Sequence, residues 1–236
     1  MWGREVDGVT LTFHLAGINN QNFLMRDEET GSYWQQISGR AISGPFAGKT
    51  LRLIHCDELT LALWKSEEPR GTVMQDVPAF VGQYSPQDWD LRMKRVPTVI
   101  DHAEPGLAAR DLMLGVHAGA SARAFPYEAI EREKLVLDRV GTEPILLVVG
   151  PDNQSVRAFS RTLPRGRGVA DFYRVTDGAG AMIDSLTASE WSFRGCATGG
   201  PMKGDCLTPI EVIEDYWFDW REYNPDTTVY RLPAAH

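Results

Sequence analysis

Gly44 to Thr50 reads "GPFAGKT" and ends in the Gly-Lys-Thr that closes a phosphate-binding loop. Such a loop needs four residues between its first glycine and that tripeptide, so that backbone N–H groups wrap the phosphates. Here Gly44 and Gly48 leave three, and Ser43 stands where the first glycine belongs. The loop should also open a long helix, whereas "LRLIHCDEL" starts as a strand, so no nucleotide is expected. The densest group of metal-capable side chains is "HCDE", His55 to Glu58. Consecutive residues entering a helix point in different directions, so at most two of them share a metal; helix capping and local packing account for the group, and no metal site is expected. "DHAEPG" offers His102 and Glu104 from a loop, with no partners evident in the sequence. Ser121 in "GASAR" lacks the second glycine of a nucleophile elbow. If the chain is an acid–base or metal-assisted hydrolase, its candidate groups are His55, Asp57, Glu58, His102 and His117.

Amides form the other polar concentration. "GINNQNF" supplies Asn19, Asn20, Gln21 and Asn22, and Gln35 and Gln36 follow Trp34. Several amides beside an aromatic suit a hydroxyl- or amide-rich ligand, which makes Asn19, Asn20, Asn22, Trp34, Gln35 and Gln36 the expected binding residues. The plainer alternative is a hydrogen-bonded asparagine turn with exposed glutamines.

The elements that must position these groups come in two copies. "DEETGSYWQQISGRAISGPFAGKTLRLIHCDELTLALWKSEEPRGTV" from Asp27 registers with "DSLTASEWSFRGCATGGPMKGDCLTPIEVIEDYWFDWREYNPDTTV" from Asp184, with one residue deleted after the tryptophan. Asp27, Ser32 and Trp34 fall on Asp184, Ser189 and Trp191; Gly44, Pro45 and Gly48 fall on Gly200, Pro201 and Gly204; Trp64 falls on Trp220. Both copies keep Gly-Pro-x-x-Gly, the chemistry of a tight turn, while Lys49 and Thr50 become Asp205 and Cys206. Positions kept in both copies maintain a shared fold; polar groups in one copy alone, the amides above all, are freer to serve a function.

Each copy predicts a strand ending at the tryptophan, a glycine-rich reversal and a short strand at Leu51 or Leu207. An amphipathic helix over Asp57–Ser66 or Glu214–Tyr223 follows, and Thr72-Val73 or Thr228-Val229 opens a last strand. "VTLTFHLAG" alternates and predicts a strand with Val9, Leu11, Phe13 and Leu15 on its buried face. Scattered prolines mark 75–108 as an irregular connection. Hairpins are predicted near Ala118-Gly119 and Gly141-Thr142, with a buried strand over Ile145–Val149 and a short helix in "YEAIERE". The fold class is therefore α+β, β-rich with short helices, in two pseudo-equivalent halves from an internal duplication. Residues 1–74 form the first half, 75–108 the connection, and 109–236 the central hairpins plus the second half, and together they are expected to make one compact domain.

Length and charge bound the rest. A chain of 236 residues has ample length for a core, and a formal charge of -8 with no extended basic run argues against a nucleic-acid surface. No apolar stretch is long enough to span a bilayer as a helix. Cys56, Cys196 and Cys206 lack CxxC spacing, which argues against a disulfide framework or zinc knuckle, although a single Cys196–Cys206 bridge is geometrically feasible.

Several of these stretches together carry a resemblance. "REVDGVTLTFHLAG", "NFLMRDEETGSYWQQISGRAISGPFAGKTL", "LMLGVHAGASARAFPYEAI" and the residues Tyr216 to Trp220 with Asn224 to Tyr230 resemble the bacterial domain-of-unknown-function family 3179 across essentially the whole chain. That family has no established activity, so the resemblance implies a fold-level grouping and no mechanism. Its members commonly carry a Cys-Pro-x-Cys-like segment just before the first "VDG" strand, where this sequence begins; "VVGPDNQS" in the second half has no cysteine either. Thiol or metal chemistry of that segment is not carried over. A cytoplasmic location is expected if Met1 is the native start, and export if a segment with a signal peptide precedes it.

The functional expectation is a non-catalytic binding or scaffold domain for a polar ligand, with no cofactor. The alternatives are the hydrolase above and an assembly component whose exposed aromatics in "YWFDW" meet a partner chain. Whether the chain is an enzyme, and its oligomeric state, stay open.

Overall fold

Short alternating segments separated by glycine turns fold into antiparallel meanders, and a computed structural model describes them over residues 1–19, 22–100, 102–175 and 180–232. The first is a four-stranded sheet of β1 (Phe13–Asn19), β2 (Asn22–Asp27), β3 (Tyr33–Gln35) and β4 (Ala41–Ser43), paired in that order. Helix α1 (Leu61–Glu67) follows, then a long excursion holding a 3-10 turn at Pro78–Gln83 and the short helix α2 (Trp89–Met93). The middle of the chain supplies β5 (Leu112–Ala118), β6 (Ser121–Pro126), α3 (Tyr127–Glu133), β7 (Leu135–Val140), β8 (Glu143–Val149) and β9 (Val156–Ser160). A second four-stranded meander comprises β10 (Phe172–Arg174), β11 (Met182–Asp184), β12 (Glu190–Trp191) and β13 (Ala197–Gly199). Strands β14 (Pro209–Ile210) and β15 (Val212–Tyr216), helix α4 (Trp217–Tyr223) and β16 (Thr228–Val229) complete the order.

Two four-stranded sheets, β14-β9-β8-β7 and β15-β5-β6-β16, share the central core. Leu114, Val116, Phe125, Val136, Ile145, Leu147 and Val149 fill the space between them. β14 and β15 are consecutive, so the chain passes from one sheet to the other at Glu211. The outer faces are covered by helices. α1 sets Leu63 against Leu146, Val148 and Phe159, while α4 sets Trp217 and Trp220 against Met113 and Ala124. Burying side chains of this size is the main source of stabilisation here.

The two meanders carry the same contacts at matched positions. Phe13 lies opposite Asp27 and Phe172 opposite Asp184. The Trp34 indole donates to Asp27 at 2.7 Å and the Trp191 indole to Asp184 at 3.0 Å. Ser32 Oγ accepts the Phe46 N–H, and Ser189 Oγ accepts the Met202 N–H, each at 3.0 Å. The Gly-Pro-x-x-Gly turns follow: Gly44 has φ +91° and Gly200 φ +77°, and a Cβ on either would come within 2.6 or 2.7 Å of the serine backbone beneath it. "GPFAGKT" is thus a turn packed on Ser32, and it opens no helix.

The predicted hairpins are found, with Ala118 opposite Ser121 and Val140 opposite Glu143, and Ile145–Val149 is fully buried. Other expectations need correction. The helices begin at Leu61 and Trp217, later than Asp57 and Glu214, because Val212–Tyr216 pairs with β5 and because Thr60 caps α1 by accepting the Leu63 N–H. Leu51 and Leu207 lie outside the strands, and Thr72-Val73 forms none, whereas Thr228–Val229 runs parallel to β6. "VTLTFHLAG" divides into Val9–Thr10 and β1; a bulge between Leu15 and Gly17 breaks the alternation, leaving Leu11 buried and Leu15 65 % exposed. Cys196 and Cys206 form a disulfide where the first meander has Arg40 beside Thr50. In "YWFDW", Trp217, Phe218 and Trp220 are buried and Tyr216 is half-buried, so these aromatics are not the exposed set expected to meet a partner.

Candidate functional site

The expected amide face is drawn into the fold. Trp34 is 0 % exposed and faces the core of its own meander, so it offers no stacking surface to a ligand. Gln35 donates to Asn19 Oδ1 at 2.9 Å and accepts from Ser38, while Tyr223 of α4 donates to the Asn19 carbonyl. Asn22 donates to Asp219 at 2.7 Å. Gln36 is exposed, and its carbonyl accepts the Trp2 indole N–H. Asn20 and Gln21 lie outside the described residues.

The hydrolase candidates separate into three places. His117 contacts Asn224 at 2.6 Å and tilts against Trp220, and His102 contacts Glu222 at 3.0 Å. His55, Asp57 and Glu58 do meet, around Arg157. His55 reaches Glu211 at 2.8 Å and Asp57 at 3.3 Å, and Arg157 forms double hydrogen bonds to both Asp57 and Glu67. Burial acts to lower the Arg157 guanidinium, but the hydrogen bonds it donates to Glu67 and Asp57 overcome this and raise the group. Burial alone pushes Glu58 up. The helix-capping role expected of this group belongs to Thr60. The cavity these residues line measures about 20 Å³, room for about one water and no substrate. Among the described residues no three His, Cys, Asp or Glu side chains are placed to hold a metal ion.

A larger cleft of about 600 Å³ opens elsewhere, within the roughly 300–1,000 Å³ range of small-molecule sites. Four cations line it: Lys94 beyond α2, Arg110 before β5, Arg132 on α3 and Arg231 after β16. Two carboxylates, Asp111 and Glu128, and two phenols, Tyr127 and Tyr230, complete the polar lining. Arg110 is held by the Val96 carbonyl and lies over the rings of Tyr216 and Phe218 at 5.3 and 5.0 Å. Arg231 pairs with Glu104 and donates to the Pro105 carbonyl at 2.8 Å. Lys94 and Arg132 form no hydrogen bond or ion pair among the described residues. Asp111 accepts the Ala108 N–H, and Tyr127 donates to the Gln154 carbonyl at 2.7 Å.

The signature of the whole chain points to one grouping. The profile of a family described as a protein of unknown function, DUF3179, matches residues 1–227. The chain belongs to the DUF3179 family. No curated protein and no solved structure matches it. Among the described residues of this DUF3179 chain, no helix is long and apolar enough to cross a membrane.

Sequence reasoning also missed a buried carboxyl pair in this DUF3179 chain. Asp215 ends β15 and Asp219 lies four residues on in α4, so a turn of chain brings the two carboxyls into contact. Burial, then the neighbouring Asp219, pushes Asp215 up to about 8. Burial also raises Asp219, against the hydrogen bond from Asn22. Tyr223 beside them is pushed up to about 12 by burial and then by these acids. The i,i+4 spacing of two aspartates in "EDYWFD" was the available signal, hidden because such spacing ordinarily marks a solvated helix face.

Proposed function

We propose that this DUF3179 chain is a non-catalytic binding domain for a small polar ligand bearing a carboxylate or phosphate group, taken into the 600 Å³ cleft. The observation that carries this reading is charge: four cations against two carboxylates line the cleft, in a chain of formal charge -8. Arg132 and Lys94 would meet the acid group, since neither has a partner to give up among the described residues. Tyr127 and Tyr230 would lie against the remainder of the ligand. This moves the ligand away from the amide rim, where Asn19, Asn22 and Gln35 already bond to protein groups. The Cys196–Cys206 disulfide supports folding in an oxidising compartment.

Calorimetric titration of the full chain with a panel of small carboxylates and phosphate esters tests the reading. Arg132→Ala and Lys94→Ala are expected to weaken a panel hit by about tenfold each, one lost charge-assisted hydrogen bond, with the melting temperature unchanged. A panel without a hit, or a hit indifferent to Arg132→Ala, would remove the cleft as the site.

A further inference from the structure

We infer that Asn22, Asp215 and Asp219 form a site for a hard divalent cation of the calcium class, where the β1–β2 hairpin meets α4. Each of the three side chains makes one hydrogen bond and leaves one oxygen. Asn22 Nδ2 donates to Asp219 Oδ2 at 2.7 Å, and Asp215 Oδ1 accepts the Tyr216 N–H at 2.8 Å. Asn22 Oδ1, Asp215 Oδ2 and Asp219 Oδ1 are buried and have no hydrogen-bond partner among the described residues. Asp219 as a residue is only 5 % exposed.

Native structures leave few such atoms unmet, and three from neighbouring side chains call for one explanation. A proton shared between the two carboxyls would satisfy Asp215 Oδ2 and Asp219 Oδ1, but the Asn22 oxygen would still lack a donor. A cation satisfies all three oxygens and balances two negative charges together. The donor set is all oxygen, two carboxylates and an amide, which selects hard ions over zinc or copper. Mg²⁺ gives up its waters reluctantly, and these three oxygens are closed to water, so Ca²⁺ fits better. Other oxygen donors of the chain must supply the remaining coordination. The ion would tie the first meander to α4 through Asn22.

Metal-stripped full chain titrated with CaCl₂, by calorimetry and by thermal unfolding, tests the site. One Ca²⁺ per chain is expected, with a rise in melting temperature and weaker binding of Mg²⁺. Asp219→Asn and Asn22→Ala should each lower calcium affinity by at least about tenfold. Should either variant not fold, the wild-type stoichiometry still decides. Absence of binding by Ca²⁺, Mg²⁺ and Mn²⁺ up to about 10 mM, beyond the range of weak protein calcium sites, overturns the inference. So does calcium binding that is unchanged in folded Asp219→Asn.

Discussion

Asp27 accepts the indole N–H of Trp34 at 2.7 Å inside the first meander. The same carboxylate accepts the Thr30 hydroxyl and the Thr30 and Gly31 backbone N–H groups, so one side chain closes the turn and orients the largest core residue. Asp27→Ala leaves those donors unmet in a buried place. A loss of about 3 kcal/mol is expected, read from urea unfolding, and Asp184→Ala should cost about the same in the second meander.

These two aspartates also set an acid limit. Burial acts to raise Asp27, but hydrogen bonds from Trp34, Thr30 and Gly31 together outweigh it and hold the carboxyl below the ordinary aspartate value of 3.8. Asp184 is lowered in the same way through Thr187, Trp191 and Leu186. A folded value below the unfolded one means that the native state binds fewer protons. The stabilisation is therefore full above 3.8 and is lost as pH falls through the lower folded values. The melting temperature should fall below about pH 4, and Asp27→Asn with Asp184→Asn should flatten that slope.

Arg157 is the one cation that both Asp57 and Glu67 grip. Arg157→Met removes the cation that joins them and leaves Asp57 only His55 and Glu67 only the more distant Arg194, for a loss of about 3–5 kcal/mol by denaturant unfolding. Adding Asp57→Asn and Glu67→Gln should restore part of that loss, since the penalty lies in the unpaired charges.

Cys56 is the free cysteine and is exposed, while Cys196 and Cys206 are joined. A thiol reagent should label one cysteine per native chain and three after reduction and unfolding, the three that the sequence contains. Reduction, or Cys196→Ser with Cys206→Ser, should lower stability by about 2–4 kcal/mol. An unchanged melting temperature in reductant would show that the bridge contributes little.

The meanders were legible because turn chemistry and the Asp, Ser and Trp spacing are local properties. The helix starts were not, since Glu214 to Tyr216 reads as a helical first turn until β5 is there to pair with it. Trp34 looked available for stacking because its acceptor, Asp27, is seven residues away and its burial depends on Phe13 and Phe46 closing around it. The cationic cleft was hidden for a different reason. Lys94, Arg110, Arg132 and Arg231 come from four separate parts of the chain, and only tertiary packing makes them neighbours.

The two covering helices also reach across the molecule. Leu63 of α1 packs among Trp191 and Phe193 of the second meander, with Arg194 bonded to Glu68 just beyond the helix. Tyr223 and Asp219 of α4 hold Asn19 and Asn22 of the first. Each half of the chain therefore wears the other's clasp. A protease cut within 75–108 would leave two pieces still fastened at both ends. Either piece expressed alone is expected to present a bare apolar face, so the contacts among the described residues offer no clean seam for lifting out one half intact.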